Sequence, residues 1–292
     1  MKLSQCSETW LKSLQNKIKS SSIHKYNQLL DWYIIYYLDI PLININYIAI
    51  DNLIRKTLYV EKNLSAKTCN AVLCVLRECL SFAVRAGYIP SNPCDNVKRL
   101  PEVKKQIQVF TAYECNLLES YIVGKDKGNM FGVLVSLYTG VRIGELLALR
   151  WQDVDFEKGY LIINKTLSDL GEETSPKSRA SLRIIPLHDR ILSLLTEKKQ
   201  RATSDYIIET NQSRTGIRLY QGKFERLLKK LGIAHRGFHT LRHTFATRLI
   251  ESDVDVKTVS TLMGHSDYNT TLNYYVHISQ EMQRKAIQKL KI

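Results

Sequence analysis

The stretch SAKTCNAVLCVLRECLSFAVRAG, residues 65–87, decides how the first third of the chain folds. Its apolar side chains recur every three or four residues, which predicts one buried stripe along a long helix. The stripe consists of Val72, Val75, Leu76, Cys79, Leu80 and Ala83. Ser65 is a suitable N-cap, and Gly87 followed by Pro90 ends the helical pattern. Similar patterns predict a helical region from residue 5 to about residue 88.

The opposite side of this helix is polar and carries Lys67, Asn70 and Arg77. In a basic chain these side chains are candidates to face DNA. A solvated face is the commoner arrangement for any single polar position, so water remains the alternative to DNA.

Residues 89–114, IPSNPCDNVKRLPEVKKQIQVFTAYE, contain three prolines and a run of lysines and arginines. This composition predicts an extended basic linker. Thr111 and Glu114 form a T-x-x-E capping box, which marks the start of the next helix. The predicted domains are therefore 1–105, with the linker at its end, and 106–292.

The second domain begins with helical patterns and then changes character. The runs GYLIINKT (159–166) and SLRIIPL (181–187) are rich in β-formers, and the polar segment between them predicts an exposed hairpin loop. The chain is helical again after the second run. We therefore predict a mainly α fold of two domains, an N-terminal helical bundle and a C-terminal α+β domain with a small antiparallel sheet.

The charge balance points to a polyanionic partner. The chain carries 42 basic and 28 acidic side chains, a net charge of +14. Residues 1–100 hold 13 of the basic and seven of the acidic side chains, so both predicted domains are basic. A surplus spread in this way favours a protein that grips a nucleic acid duplex over one with a basic tail, and a basic protein without such a partner is the alternative.

Other features exclude several classes of protein. The six cysteines form no C-x-x-C pair, which indicates reduced thiols in a cytosolic protein. The N-terminus lacks the long apolar region of a signal peptide. The most apolar stretch, residues 33–50, is interrupted by Asp39, Pro41 and two asparagines and would not span a bilayer. We expect a cytoplasmic protein with no membrane partner.

Four short stretches of the second domain concentrate chemistry that suits phosphate. In the first, TGVRIGELLAL (139–149), we expect Arg142 in the first turn of a helix that begins near Gly140, with Glu145 on the same face. Such an arginine can offer two N–H groups to a phosphate, helped by the positive end of the helix. An ordinary surface ion pair is the alternative.

The next two stretches add further cations. Lys177 of SPKSRASLRIIPL lies in a loop just before a strand, a position that is usually solvated. In GFHTLRHTFATRL, His239 and Arg242 share one helical face with His243. The two histidines have zinc-ligand spacing, but the glutamate of H-E-x-x-H is missing and Arg242 would repel a cation, so we expect no metal.

The fourth stretch, LMGHSDYNTTLNYYVHI, carries a candidate nucleophile. Gly264 ends one helix, His265 lies in the following turn, and Tyr274 and Tyr275 come on the next helix. Consecutive helix positions point about 100° apart, so only one of the two phenols can face a bound phosphate.

In order and spacing, TGVRIGEL, PKS…LRIIPL, HTLRHTFAT and LMGHSD…YVH closely resemble the catalytic boxes of the tyrosine recombinases, the phage integrase family. The resemblance covers essentially the whole chain, because residues 1–100 look like the family's helical, SAM-like core-binding domain. That N-terminal match is looser. The resemblance implies a site-specific recombinase of a mobile genetic element, which integrates, excises or inverts DNA.

The resemblance also implies residue roles. The matched catalytic positions are Arg142, Lys177, His239, Arg242 and His265, with Glu145 in support. The family's nucleophile typically precedes an x-His pair, which selects Tyr275 with Val276 and His277 after it. Tyr274 lies at the shorter of the spacings found in the family and is the alternative.

The mechanism and partners follow from the same resemblance. The tyrosine would attack a DNA phosphate to form a 3′-phosphotyrosyl link, which conserves the bond energy and needs no metal, ATP or other cofactor. The implied partners are duplex core sites and three further copies of the chain in a synaptic homotetramer, with room for accessory DNA-bending or directionality factors. A type IB topoisomerase and a non-catalytic DNA-binding regulator are the rival functions.

Overall fold

The structure is a computed structural model, and it describes residues 1–103, 108–124, 130–175, 181–210 and 213–265. The chain divides into two compact units, Met1–Lys105 and Gln106–Ile292, and each has its own hydrophobic core. None of the helices in the described part of the chain combines the length and the apolar character that crossing a bilayer requires.

The described elements of the first unit are helices. They are α1 (Leu3–Leu14), α2 (Ser20–Leu29), α3 (Tyr36–Leu38), α4 (Tyr47–Asp51) and α5 (Ala66–Arg85), with π-helical stretches at Leu30–Ile35 and Asn52–Glu61 and a 3-10 turn at Leu42–Asn44. The predicted stripe of α5 is buried in the core of this unit. Ser65 caps the helix as predicted, because its side chain accepts the N–H of Thr68 at 3.1 Å.

The prediction that Asn70 faces DNA or water is wrong. Asn70 is only 2% exposed. Its side-chain amide donates to the carbonyl of Leu100 at 2.9 Å and accepts the N–H of the same residue at 2.8 Å. It also donates to Glu102 at 2.7 Å. The reason is that the first half of the predicted linker packs along this face of α5 and covers it.

Arg77 also holds the linker segment against α5. Its guanidinium donates to the carbonyls of Cys94 and Val97 at 3.0 and 3.1 Å. The linker segment that it holds also buries Ile89 and Leu100 in the core. Of the three polar positions predicted on this face, only Lys67 is exposed.

The described part of the second unit combines helices with three small antiparallel sheets. Its helices are α6 (Ala112–Gly124), α7 (Phe131–Thr139), α8 (Ile143–Ala148), α9 (Asp189–Gln200), α10 (Ile217–Lys230), α11 (His239–Glu251) and α12 (Val256–Met263). Its strands are β1 (Val154–Asp155), β2 (Tyr160–Ile163), β3 (Thr166–Leu167), β4 (Glu173–Thr174), β5 (Arg183–Pro186), β6 (Glu209–Thr210) and β7 (Ser213–Arg214). The predicted fold class is therefore confirmed.

The predicted hairpin strands pair as expected. In the sheet β1-β2-β5, Leu161 lies opposite Ile185 and Ile163 lies opposite Arg183. Side chains alternate between the two faces, so Leu161, Ile163 and Ile185 enter the core. Part of the predicted polar loop is itself ordered, because β3 and β4 form a short antiparallel ribbon.

Two glycines of the TGVRIGEL stretch are required by close contacts. Gly140 ends α7 with a φ of +65°, and a side chain there would place its Cβ 2.4 Å from the ring of Phe245 on α11. At Gly144, a Cβ would lie 2.5 Å from the carbonyl oxygen of Leu167 on β3. Gly140 lets α7 pack closely against α11, and Gly144 lets α8 pack closely against β3.

Candidate active site

Arg142 and Glu145 form the predicted pair at the start of α8. Arg142 lies at the N-cap of α8 instead of inside its first turn. Its guanidinium donates to Glu145 Oε1 at 2.8 Å, and its backbone N–H donates to Glu145 Oε2 at 2.9 Å. The side chain of Arg142 is 36% exposed and that of Glu145 only 3%. The pair is therefore anchored by a buried carboxylate and keeps one side of the arginine open to solvent.

Sequence reasoning missed a second arginine on this carboxylate. Arg183 of β5 donates to Glu145 through Nη2 at 2.8 Å and through Nη1 at 3.2 Å, and only 4% of its side chain is exposed. A signal for it was present in SLRIIPL, because Arg183 has the same strand parity as the buried Ile185 and Leu187.

The two arginines fix the charge of Glu145. Burial by itself would raise the pKa of this carboxyl group. The hydrogen bonds and charge of Arg183, followed by the charge of Arg142, outweigh burial and lower the pKa to about 2. Glu145 is therefore an anion at any pH at which the protein is handled.

Arg242 of α11 is the most deeply buried of the predicted cations that the structure describes, with 1% of its surface exposed. Its Nη1 donates to the carbonyl of Gly140 at 2.7 Å, and its Nη2 donates to the carbonyl of Met263. Arg242 thus joins the end of α7 to the end of α12.

All three arginines meet at the C-terminal end of α12. Arg183 Nε donates to Leu262 O at 2.8 Å, Arg242 to Met263 O, and Arg142 Nη2 to Gly264 O at 3.2 Å. Carbonyls at the end of a helix lack intrahelical partners and carry partial negative charge, so they are suited to cations. We call Arg142, Arg183 and Arg242 the arginine clamp. His265 follows directly in the chain.

Two histidines complete the described part of the site. His239 begins α11, one turn before Arg242, and its ring meets that of His243 edge-on at 4.7 Å between ring centres. Part of the His239 ring is exposed, yet the protein around it, and after that the charges of His243 and Arg242, lower its pKa to about 4. Burial and the charges of Arg242 and Arg142 likewise lower the pKa of His265 to about 4. Both imidazoles are therefore neutral at pH 7 and can donate or accept a proton.

The same neighbours argue against a metal at His239 and His243. Burial, and after it the charge of Arg242, which lies between them on the helix, lower the pKa of His243. Among the described residues, no group of three or more His, Cys, Asp or Glu side chains is arranged to hold a metal ion.

Three predicted positions lie outside the described residues. They are Lys177, Tyr274 and Tyr275. The structure brings together the remaining positions, Arg142, Glu145, His239, Arg242 and His265, in one cluster of hydrogen bonds and mutual charge effects. Such a cluster can hold a phosphate and stabilise negative charge on its oxygens.

Comparison with known proteins identifies the family to which this chain is similar. The model of the phage integrase family matches residues 104–282. A XerC-like tyrosine recombinase of Caldanaerobacter subterraneus is 29% identical, in an alignment that covers 79% of this chain and 67% of the relative. The tyrosine recombinase XerC of Bacillus pumilus is 30% identical over 232 residues, 77% of this chain and 75% of the relative.

Solved structures share the fold across both units. The integrase of the transposon Tn1549, in complex with a circular intermediate DNA, superposes with a TM-score of 0.84 and 23% identity over 99% of this chain and 100% of that chain. A lambda integrase tetramer bound to a Holliday junction gives a TM-score of 0.73 and 22% identity over 91% of this chain and 78% of that chain. The chain belongs to the phage integrase family, the tyrosine recombinases.

Proposed function

We propose that this chain is a site-specific recombinase that cuts and rejoins duplex DNA through a covalent 3′-phosphotyrosyl link, with Tyr275 as the nucleophile. The observation that carries the proposal is the meeting of Arg142, Arg242 and His265 at the end of α12. That helix end leads directly into the segment that contains the tyrosine, so the phosphate ligands and the nucleophile are connected by a short piece of chain.

The arginines suit the transition state of this reaction. Attack on a phosphodiester adds negative charge to its non-bridging oxygens, and N–H groups already aimed at those oxygens lower the barrier. Arg142 is partly exposed and can meet a phosphate directly. Arg242 is nearly fully buried and donates to two carbonyls, so it adds positive charge beside the same helix end.

The neutral histidines and Lys177 suit proton transfer. The phenol of a tyrosine has an ordinary pKa near 10, so it needs a base or a stabilising charge to attack at neutral pH. His239, uncharged at pH 7, can assist in removing that proton. His265 can donate a hydrogen bond to a non-bridging oxygen. Lys177 would protonate the departing 5′-oxygen, and the reaction would need no metal or nucleotide cofactor.

The partners that we propose are duplex core sites and further copies of this chain. The structurally similar lambda integrase has been solved as a tetramer on a Holliday junction, and exchange between two duplexes needs four strand cleavages. Both units carry a surplus of basic residues, so both would contact the phosphate backbone. On α5, Lys67 is exposed and remains a candidate contact, whereas Asn70 is buried.

A covalent-adduct assay tests this function. The substrate is a core-site duplex nicked beside the cleavage point, so that the freed 5′-end diffuses away and the adduct is trapped. We expect an adduct with the wild-type chain and with Tyr274→Phe, and none with Tyr275→Phe, which keeps the ring and loses only the phenolic oxygen. An adduct with Tyr275→Phe but not with Tyr274→Phe would move the nucleophile to Tyr274. Adducts with both variants would exclude a nucleophile at either position.

A further inference from the structure

Arg183 links three elements of the second unit. From β5 its Nε donates to Leu262 O at the end of α12, and its Nη1 and Nη2 donate to the two carboxylate oxygens of Glu145 on α8. A further bond from Nη1 to Ser181 O at 3.2 Å fixes the arginine to its own strand. Four of the five N–H groups of a guanidinium are thus used within the protein.

We propose that Arg183 is a positioning residue for DNA cleavage. It holds Glu145, and through Glu145 also Arg142, in a fixed position relative to the end of α12, which His265 follows. The proposal rests on the proposed function, because Arg142 and His265 are the groups that would meet the scissile phosphate. It assigns Arg183 no contact of its own with DNA, since its side chain is only 4% exposed.

The carboxylate of Glu145 shows how the coupling works. Oε1 accepts from Arg142 Nη1 at 2.8 Å and from Arg183 Nη1 at 3.2 Å. Oε2 accepts from the Arg142 backbone N–H at 2.9 Å and from Arg183 Nη2 at 2.8 Å. Each oxygen is therefore shared between the two arginines, so the plane of the carboxylate, and with it the Arg142 guanidinium, is set by Arg183.

Arginine is specifically suited to this position. Its planar group presents two N–H bonds along one edge to the carboxylate while Nε–H points to Leu262 O. A lysine keeps the charge but ends in a single ammonium group, which cannot reproduce the two-sided arrangement. Lysine at this position would keep most of the charge balance of the cluster and lose its alignment.

The first test measures single-turnover adduct formation on the nicked core-site duplex at saturating DNA. We expect Arg183→Lys and Arg183→Met to slow adduct formation by about 10- to 100-fold, a typical effect of misplacing catalytic groups by about 1 Å. Their affinity for the duplex should remain within about threefold of wild type, because Arg183 is not a phosphate contact. The matched control is Arg190→Met, which breaks an exposed pair with Glu119 at 2.8 Å in the same unit, and it should react at the wild-type rate.

The second test asks whether Arg183 acts through Glu145. Residues that work as a unit give non-additive losses, so the Glu145→Gln/Arg183→Met double variant should react no more slowly than the slower single variant. Losses that multiply would overturn the route through Glu145. Wild-type rates for both Arg183 variants would overturn the inference as a whole.

Two further outcomes are separable. If Arg183→Met does not fold, Arg183→Lys, which retains the cation beside Glu145, decides the question by the same rate measurement. If the wild-type chain and Arg190→Met form no adduct on a substrate that they bind, the proposed function fails. If the wild-type chain and Arg190→Met do react, wild-type rates for the Arg183 variants contradict only the role of Arg183. The failure of that role is therefore distinguishable from the failure of the proposed function.

Discussion

Polar side chains on α5 and polar side chains around α12 have different roles in this chain. On α5, Asn70 and Arg77 donate to the backbone of the segment that packs over them and hold it in place. Around α12, the arginine clamp also donates to backbone carbonyls, but two of its three cations, Arg142 and Arg183, share the carboxylate of Glu145 as well.

The difference lies in charge balance. Asn70 is neutral and its amide is fully engaged, so Asn70 itself has no group left to bind a ligand. Burial, and after it neighbouring positive charge, lower the pKa values of His239 and His265, so the clamp has a surplus of positive charge in a partly desolvated place. An anion would relieve that surplus. A binding site is therefore better recognised by unbalanced charge than by polarity.

The largest expected effect concerns the contribution of the arginine clamp to catalysis. Arg142→Ala should slow adduct formation by about 100- to 1000-fold, as expected for the loss of one preorganised donor to a developing charge. Single-turnover kinetics at saturating DNA measure the rate. Arg55→Ala, which removes an exposed ion pair with Asp51 in the first unit, is the control and should react normally. A rate for Arg142→Ala within threefold of wild type would remove Arg142 from the site.

The next effect tests the packing side. Asn70→Ala leaves the N–H and C=O of Leu100 without their buried partner, so the free energy of unfolding should fall by about 1–3 kcal/mol. Denaturant titration measures this change, and Lys67→Ala on the same helix is the control. The adduct rate of folded Asn70→Ala at saturating DNA should match wild type. A slower reaction with unchanged stability would indicate that Asn70 contacts DNA and would contradict its role in packing.

A pH titration of stability tests whether folding lowers the pKa values of three histidines. The folded pKa of His239, His243 and His265 is about 4, below the ordinary value of 6.5, so the unfolded chain binds more protons between these two values. The free energy of unfolding should therefore fall as pH is lowered from 7 towards 5. In His265→Gln this fall should be shallower. Identical slopes in the variant and the wild type would mean that folding does not lower the pKa of His265.

The smallest expected effect concerns the exposed face of α5. Lys67→Ala should weaken binding to all duplexes alike and reduce the slope of log affinity against log salt by about 1. Wild-type affinity should itself fall by about tenfold to a thousandfold between roughly 50 and 200 mM salt. Asn70→Ala should leave the slope unchanged. An equal change of slope in both variants would contradict the difference in burial between the two positions.

Much of the fold could be predicted from the sequence because the signals are local. The stripe of α5, the Ser65 cap, the capping box of Thr111 and Glu114 and the two hairpin strands are each encoded within a few residues, and all are present in the structure. Helix and strand periods express themselves over short windows, so neighbouring residues are sufficient to specify them.

The candidate site was predictable in part. Arg142, His239, Arg242 and His265 were predicted from short motifs and from the resemblance of those motifs to a family, and the structure brings them together. Arg183 was missed because an arginine inside a β-rich run gives no sign of its partner.

Only the tertiary structure decided which polar groups form hydrogen bonds within the protein and which can bind a ligand. Asn70 meets Leu100 thirty residues along the chain, and Arg183 meets Leu262 across 79 residues. Local sequence determines that a side chain can donate a hydrogen bond, but packing determines which acceptor is within reach once water has been excluded. For this chain, the sequence by itself determined the elements and the motifs, and the packing of α8, β5 and α11 against the end of α12 determined the clamp.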